Sequence, residues 1–337
     1  MTTTLSNAPL SGRPRLISLS RTGRWLLVSR SGAVDLHDLL GTMPARRLPA
    51  FDGPAEFVGG EIWALDGDAL ARILPRDLKS LPSHASIPGP VTSILAGFGE
   101  VCSDALISGA AACRITVKTG EPIAHPVEEL ADGEQVVALY GSRIYVAGRR
   151  TLRALDRRPL WKIGQLDGDA VAASVLFGGR SLALLLRGAK GDVVLVLSND
   201  RRVHQIAVPR TRCWAVAEQL GHAFLLLEED QAILRVDLRY GRIAASGRAP
   251  FAAAELAVDQ DGRHAVLASV DGREIAQMST AALLQPVAPP AREDAPSAEA
   301  DETRDASARD AEASTGAILT APERVPVDAL VAEPAGD

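Results

Sequence analysis

The residues able to do chemistry are few and scattered. Cys102, Cys113 and Cys213 form no C-x-x-C pair, so neither a zinc ribbon nor a dithiol couple can be assembled from them. The six histidines, His37, His84, His125, His204, His222 and His264, share no metal-ligand spacing. Hard-cation sites built from Asp, Glu and Asn would have only Asn7 and Asn199 to draw on. No nucleophile elbow, phosphate loop or H-E-x-x-H pattern occurs. The carboxylates left for metal-dependent or hydrolytic chemistry are Glu134 and Glu255, each seven residues before a recurring glycine. Elsewhere that offset holds Leu16, Gly53, Thr92, Ala172 and Trp214, so a ring of ligands is not formed. No catalytic, cofactor or metal residue is predicted. The unpaired cysteines read as small buried hydrophobes of a reducing compartment, which predicts a cytoplasmic protein. The first residues, MTTTLSNAPLSGRPR, show no secretory pattern.

Arginine is the residue type that does cluster. Arg46 and Arg47, Arg157 and Arg158, Arg201 and Arg202, and Arg239 with Arg242 recur at comparable points of a repeat. They are the candidates for binding an acidic partner. The repeat itself is an apolar run, a turn with glycine and a second apolar run, as in SLSRTGRWLLV, EFVGGEIWAL and VALYGSRIYVA. Its glycines are Gly23, Gly60, Gly99, Gly141, Gly179, Gly221 and Gly262, spaced 37, 39, 42, 38, 42 and 41 residues apart. Within each unit the turns predict four short strands, A to D. Runs such as Phe224–Leu227 serve as strand B and alternating runs such as Ile233–Leu238 as strand C. No stretch of 1–285 carries helical periodicity, which excludes helical repeat arrays. The expectation is an all-β, seven-bladed β-propeller of four-stranded blades over residues 1–285. The N-terminal segment is expected to supply the outer strand of the last blade; the rival is that residues 283–287 complete that blade.

On this period and pattern, residues 1–285 resemble the WD40 and quinoprotein-type propeller superfamily. Ala154-Leu155-Asp156 with Leu160-Trp161 is similar to the quinoprotein repeat, and Thr119-Gly120 and Tyr240-Gly241 to its strand C–D turn. No Trp-Asp pair ends a strand C, and Gly221-His222 has no matching pair, so the WD40 hydrogen-bonded set is missing. The resemblance implies an accessory subunit, beside an ATPase or a von Willebrand-type domain. Trp25, Trp63, Trp161 and Trp214 fall on strands B, B, D and A, which suits packing between blades rather than a bound quinone.

A propeller puts its A–B and C–D turns on one face and its B–C and D–A turns on the other. Sorted in this way, the first face carries the arginines above, with Arg21, Arg24, Arg76, Lys79, Lys118, Arg143, Arg180 and Arg263, against acids that include Asp38, Asp77, Glu121, Asp156, Asp200 and Asp237, and nets roughly +5. The second carries Asp52, Glu56, Asp66, Asp68, Glu128, Glu129, Asp132, Glu134, Asp167, Asp169 and Glu228–Asp230, and nets roughly −7.

Residues 286–337 form a separate region. Twelve acids, four arginines, fourteen alanines and seven prolines, with no aromatic, predict a disordered acidic tail of net charge −8. This leaves 32 basic and 30 acidic side chains in residues 1–285, a net of +2. Within the tail, Ile318, Leu319, Val325, Val327, Leu330 and Val331 are candidate docking anchors. The near-neutral body and only four lysines argue against nucleic acid, and no membrane-binding helix or lipidation motif occurs. Together these features predict a non-catalytic protein–protein interaction platform in a larger cytoplasmic assembly, either monomeric or a subunit of a hetero-complex. The alternative is a ligand-binding or metal-dependent hydrolytic propeller whose channel mouth lies near Glu134 and Glu255.

Overall fold

The computed structural model describes residues 17–287. Excepted are short segments at 31–32, 49–50, 52–53, 82, 84–86, 88–90, 97–102, 110–111, 118–121, 128–129, 132–133, 141–142, 156–160, 199–200 and 271–272. The chain separates into two compact units, Met1–Pro289 and Pro290–Asp337, and every described residue belongs to the first. Residues 288–337 of the predicted tail, with its six apolar anchors, and Arg157, Arg158, Gly99 and Gly141 lie outside the described residues.

The strands form consecutive antiparallel sheets. The first is Ile17–Leu19, Trp25–Arg30, Ala33–Asp38 and Arg46–Arg47 (β1–β4). The second is Ala55–Val58, Glu61–Asp66, Ala69–Ile73 and Ser80–Leu81 (β5–β8). The third is Val91–Ala96, Ser103–Gly109, Cys113–Val117 and Pro122–Pro126 (β9–β12). The fourth is Gln135–Tyr140, Arg143–Gly148, Thr151–Leu155 and Trp161–Gln165 (β13–β16). The fifth is Asp169–Leu176, Ser181–Arg187, Asp192–Ser198 and Arg201–Val208 (β17–β20). The sixth begins with Thr211–Ala217, His222–Leu227, Ala232–Asp237 and Arg242–Arg248 (β21–β24). Ala253–Val258, His264–Ser269 and Ile275–Ser279 (β25–β27) form a sheet of three, and after one helical turn, Thr280–Leu283, comes Leu284–Pro286 (β28).

Two features correct the sequence expectation. Among the described residues, six blades are complete with four or more strands, and the last sheet has three. The strand β28 pairs antiparallel with β24, with Leu284 opposite Gly247 and Pro286 opposite Ala245, as a fifth strand of blade six. The idea that residues 283–287 complete the last blade is therefore overturned. Leu283 and Leu284 are buried in the core between blade six and the last sheet, and that apolar burial draws the segment sideways. The expected boundary after residue 285 consequently falls inside β28. The N-terminal residues expected to close the last sheet precede the described ones.

The core lies between the sheets. Each apolar cluster joins two neighbouring sheets, as Leu184 and Leu195 of the fifth with Val137 and Tyr145 of the fourth do. The ring closes where Ile17, Leu19 and Val28 meet Ala257, Val266 and Ala268 of the last sheet. This explains why middle strands read as unbroken apolar runs. The SLALLLR strand β18 and the HAFLLL strand β22 are covered on both faces. Outer strands return to polarity: along β20 only Ile206 and Val208 are buried. Trp63 and Trp214 are fully buried, which bears out the reading of tryptophan as packing between blades. Each contributes on the order of 2–3 kcal/mol of apolar transfer.

Candidate functional site

The two carboxylates considered for chemistry do not come together. Glu134 precedes β13 and is committed to its own blade. It accepts from Arg153 Nε at 2.8 Å, from a second Arg153 nitrogen, and from the Ala131 N–H at 2.9 Å. The Arg153 hydrogen bonds hold its carboxyl below the usual range. Glu255, on β25, accepts from the Ile17 N–H at 3.0 Å and helps to close the ring. Glu134 lies at the fourth blade and Glu255 on the last sheet, with blades five and six between them in the chain. Among the described residues no group of three or more His, Cys, Asp or Glu is placed to hold a metal ion.

The histidines lie in different settings. His264 Nδ1 meets Asp259 Oδ2 at 2.9 Å, and Asp259 also accepts from the Arg263 and His264 N–H groups. His204 Nε2 lies 2.8 Å from the Arg239 carbonyl oxygen. Burial pushes the His222 pKa down, with Arg235 and Arg239 adding to the effect and Asp237 opposing it. Cys113 is buried, and desolvation raises its pKa; Cys213 is half-buried, with Sγ 3.6 Å from the Leu256 carbonyl oxygen.

The sequence reading missed the polar contacts between neighbouring innermost strands. Glu56 is not on an acidic face. It is 4% exposed on β5 and accepts from the Ser18 hydroxyl of β1. Glu218, just after β21, is likewise buried and accepts from Ser174 Oγ of β17 at 2.8 Å. The available signal was a lone Glu inside an apolar strand, as in the AEFV segment.

The arginine candidates divide into paired and unpaired sets. Arg46 donates to the Pro75 and Arg76 carbonyls, fastening blade one to a turn of blade two, and lies 5.7 Å from the Trp25 ring centroid. Arg47 pairs with Asp35 at 3.0 Å. Arg202 pairs at 2.8 Å with Asp167, a residue the turn rule sorts to the opposite face. For this pair, therefore, the two-face sorting does not hold.

The remaining arginines gather where blades five and six meet. Arg239 and Arg242 are exposed on and beside the β23–β24 turn. The Arg239 guanidinium stands 5.3 Å from the Phe177 ring centroid of blade five, and Arg242 stands 5.6 Å from that of Tyr240. The turns beneath are tied together. The Leu238 N–H donates to the Gly221 carbonyl at 2.8 Å, and the Phe177 N–H to that of Glu218 at 3.5 Å. The Phe177 ring presses on Gly221, whose φ of +68° suits glycine; a Cβ there would overlap the ring. Tyr140 flanks the same turn: its hydroxyl donates to the Gly178 carbonyl at 2.6 Å, and its ring fills the space beside Gly179. Leu220 and Tyr240 are 43% and 65% exposed beside these arginines. Arg180 and Arg201 lie exposed on adjoining turns of blade five. The result is a rigid, positively charged surface with apolar groups set into it.

Neither the known family models nor the curated proteins contain a match to this chain. Solved structures do resemble it. The β-propeller domain of Cps50 (Swd1) from Myceliophteria thermophila superposes with a TM-score of 0.61 at 13% identity, covering 83% of this chain and 99% of that one. Hydrazine synthase of Kuenenia stuttgartiensis gives a TM-score of 0.57 at 10% identity, covering 79% of this chain and 95% of its own. Hsv2p of Kluyveromyces lactis gives 0.54 at 9%, covering 81% and 98% respectively. At such identities the likeness shows the β-propeller fold alone.

Proposed function

We propose that this protein is a non-catalytic protein–protein interaction platform, an accessory subunit of a larger cytoplasmic assembly. The observation that carries the reading is the junction of blades five and six. There, Arg and aromatic side chains, the types enriched at interface centres, stand exposed on turns fixed by backbone hydrogen bonds. The absence of C-x-x-C pairs and the burial of Cys113 support a reducing compartment. Among the described residues, no helix is long and apolar enough to cross a membrane. We also infer that residues 1–16 supply the missing outer strand of the last sheet, since they lead directly into β1, which packs against that sheet.

The test is to purify the tagged full-length chain at low salt from its native source and cross-link it. A stoichiometric complex, with cross-links on the blade five–six turns, is expected. A chain that runs alone, and whose melting temperature rises with a divalent cation or metabolite, would instead favour a ligand-binding or hydrolytic propeller.

A further inference from the structure

We propose that the surface at the blade five–six junction accepts an acidic protein segment carrying an aliphatic or aromatic anchor: Arg239 and Arg242 take its carboxylates, and Phe177, Leu220 and Tyr240 hold the anchor. The inference rests on the platform reading and specifies the partner's chemistry.

Charge complementarity is the first support. Several arginines elsewhere in the ring are matched to carboxylates: Arg24 to Asp38, Arg72 to Glu61, Arg153 to Glu134, and Arg187 and Arg210 to Asp192. At this junction, no carboxylate among the described residues forms an ion pair with Arg180, Arg201, Arg239 or Arg242. Asp237, on the same turn as Arg239, has one carboxylate oxygen that accepts from the Arg239 and Tyr240 N–H groups at 3.0 and 3.2 Å. The local charge is therefore available to a partner.

Preorganisation is the second. The Phe177 and Tyr240 rings lie within cation–π range of the two guanidiniums and leave their N–H groups to receive a carboxylate. Phe177 is held at φ +49°, a left-handed conformation that bulky side chains rarely adopt, in a turn gripped by Tyr140 and Gly221. Such strain persists where the surroundings over-determine it, and it concentrates at binding sites. Here it keeps the Phe177 ring under Arg239.

The apolar groups decide the class of anion. A nucleic acid strand would call for a basic track along its backbone, whereas residues 1–285 net only +2 and the whole chain has four lysines. Exposed Leu220 and Tyr240 between arginines suit an amphipathic acidic peptide.

The experiment is fluorescence anisotropy with the full-length protein and three labelled probes: a Glu/Asp-rich dodecapeptide with a central Leu-Phe pair, the same peptide with Gly-Gly at its centre, and a dodecanucleotide of single-stranded DNA. The first should bind at low salt and weaken about tenfold or more in the R239E/R242E variant and on raising salt. The Gly-Gly probe should bind several-fold more weakly than the Leu-Phe probe. Y240A, at an exposed side chain, should reproduce part of that loss with an unchanged melting temperature. Equal binding by wild type and R239E/R242E, no binding of the first probe, or DNA binding as tight as the peptide would each overturn the assignment. The two readings fail separately. A native complex that survives R239E/R242E intact leaves the platform standing without this surface; a wild-type chain with no stable partner removes the platform itself.

Discussion

Replacing Asp192 with alanine should loosen the joint between blades five and six. Asp192 begins β19, and its carboxylate is wholly shielded from solvent. It accepts from Arg210 Nη1 at 3.0 Å, from Arg187 Nη2 at 3.4 Å and from the Thr211 N–H at 2.8 Å; Thr211 starts the first strand of blade six. Removing the acceptor strands a buried backbone donor and leaves the Arg210 guanidinium without its counter-charge, while Arg187 keeps only Glu228 at 3.8 Å. Breaking a buried pair in this way costs roughly 3–5 kcal/mol. Arg187 and Arg210 keep 29% and 31% of their side chains exposed and regain some hydration, which brings the expected loss to the lower end, about 3 kcal/mol. For a domain of this size that is a fall in melting temperature on the order of 6–10 °C by calorimetry. Asp192→Asn retains an acceptor for Thr211 and should lose about half as much. A loss below about 1 kcal/mol for the alanine variant would refute the view that this carboxylate joins the two blades.

Three other predictions concern acid stability and the strand edges. The Arg24 hydrogen bonds, then that from Thr42, lower the Asp38 pKa to about 2, so its stabilisation is complete above the ordinary carboxylate range. It should be lost as pH falls from about 4 to about 2, and melting curves of wild type and Asp38→Asn should converge over that window. A Cβ at Gly247 would overlap the Leu283 carbonyl, so Gly247→Ala should detach β28 and speed amide exchange at Val287, whose N–H donates to the Ala244 carbonyl. Deletion of residues 2–9 should instead speed exchange along β27, and unchanged exchange there would refute the closing role given to the N-terminus.

The repeat, the turns and the buried tryptophans were legible in the sequence because they are local. A glycine at left-handed φ, as at Gly23, Gly60 and Gly262, writes itself into the chain wherever a tight turn is needed. An apolar run covered on both faces is equally visible in β18 and β22. What the sequence could not display is which blade a strand joins and which charges meet. Leu284 looks the same whether it completes the last sheet or crosses to β24, and only the competition for buried apolar area sends it to blade six. Arg202 and Asp167 are 35 residues apart and were sorted to opposite faces, yet the fold brings them into contact. Phe177, Leu220, Arg239 and Tyr240 come from two blades and three turns. Their chemistry was present one residue at a time, but their meeting depends on packing between non-adjacent segments, which periodicity does not encode.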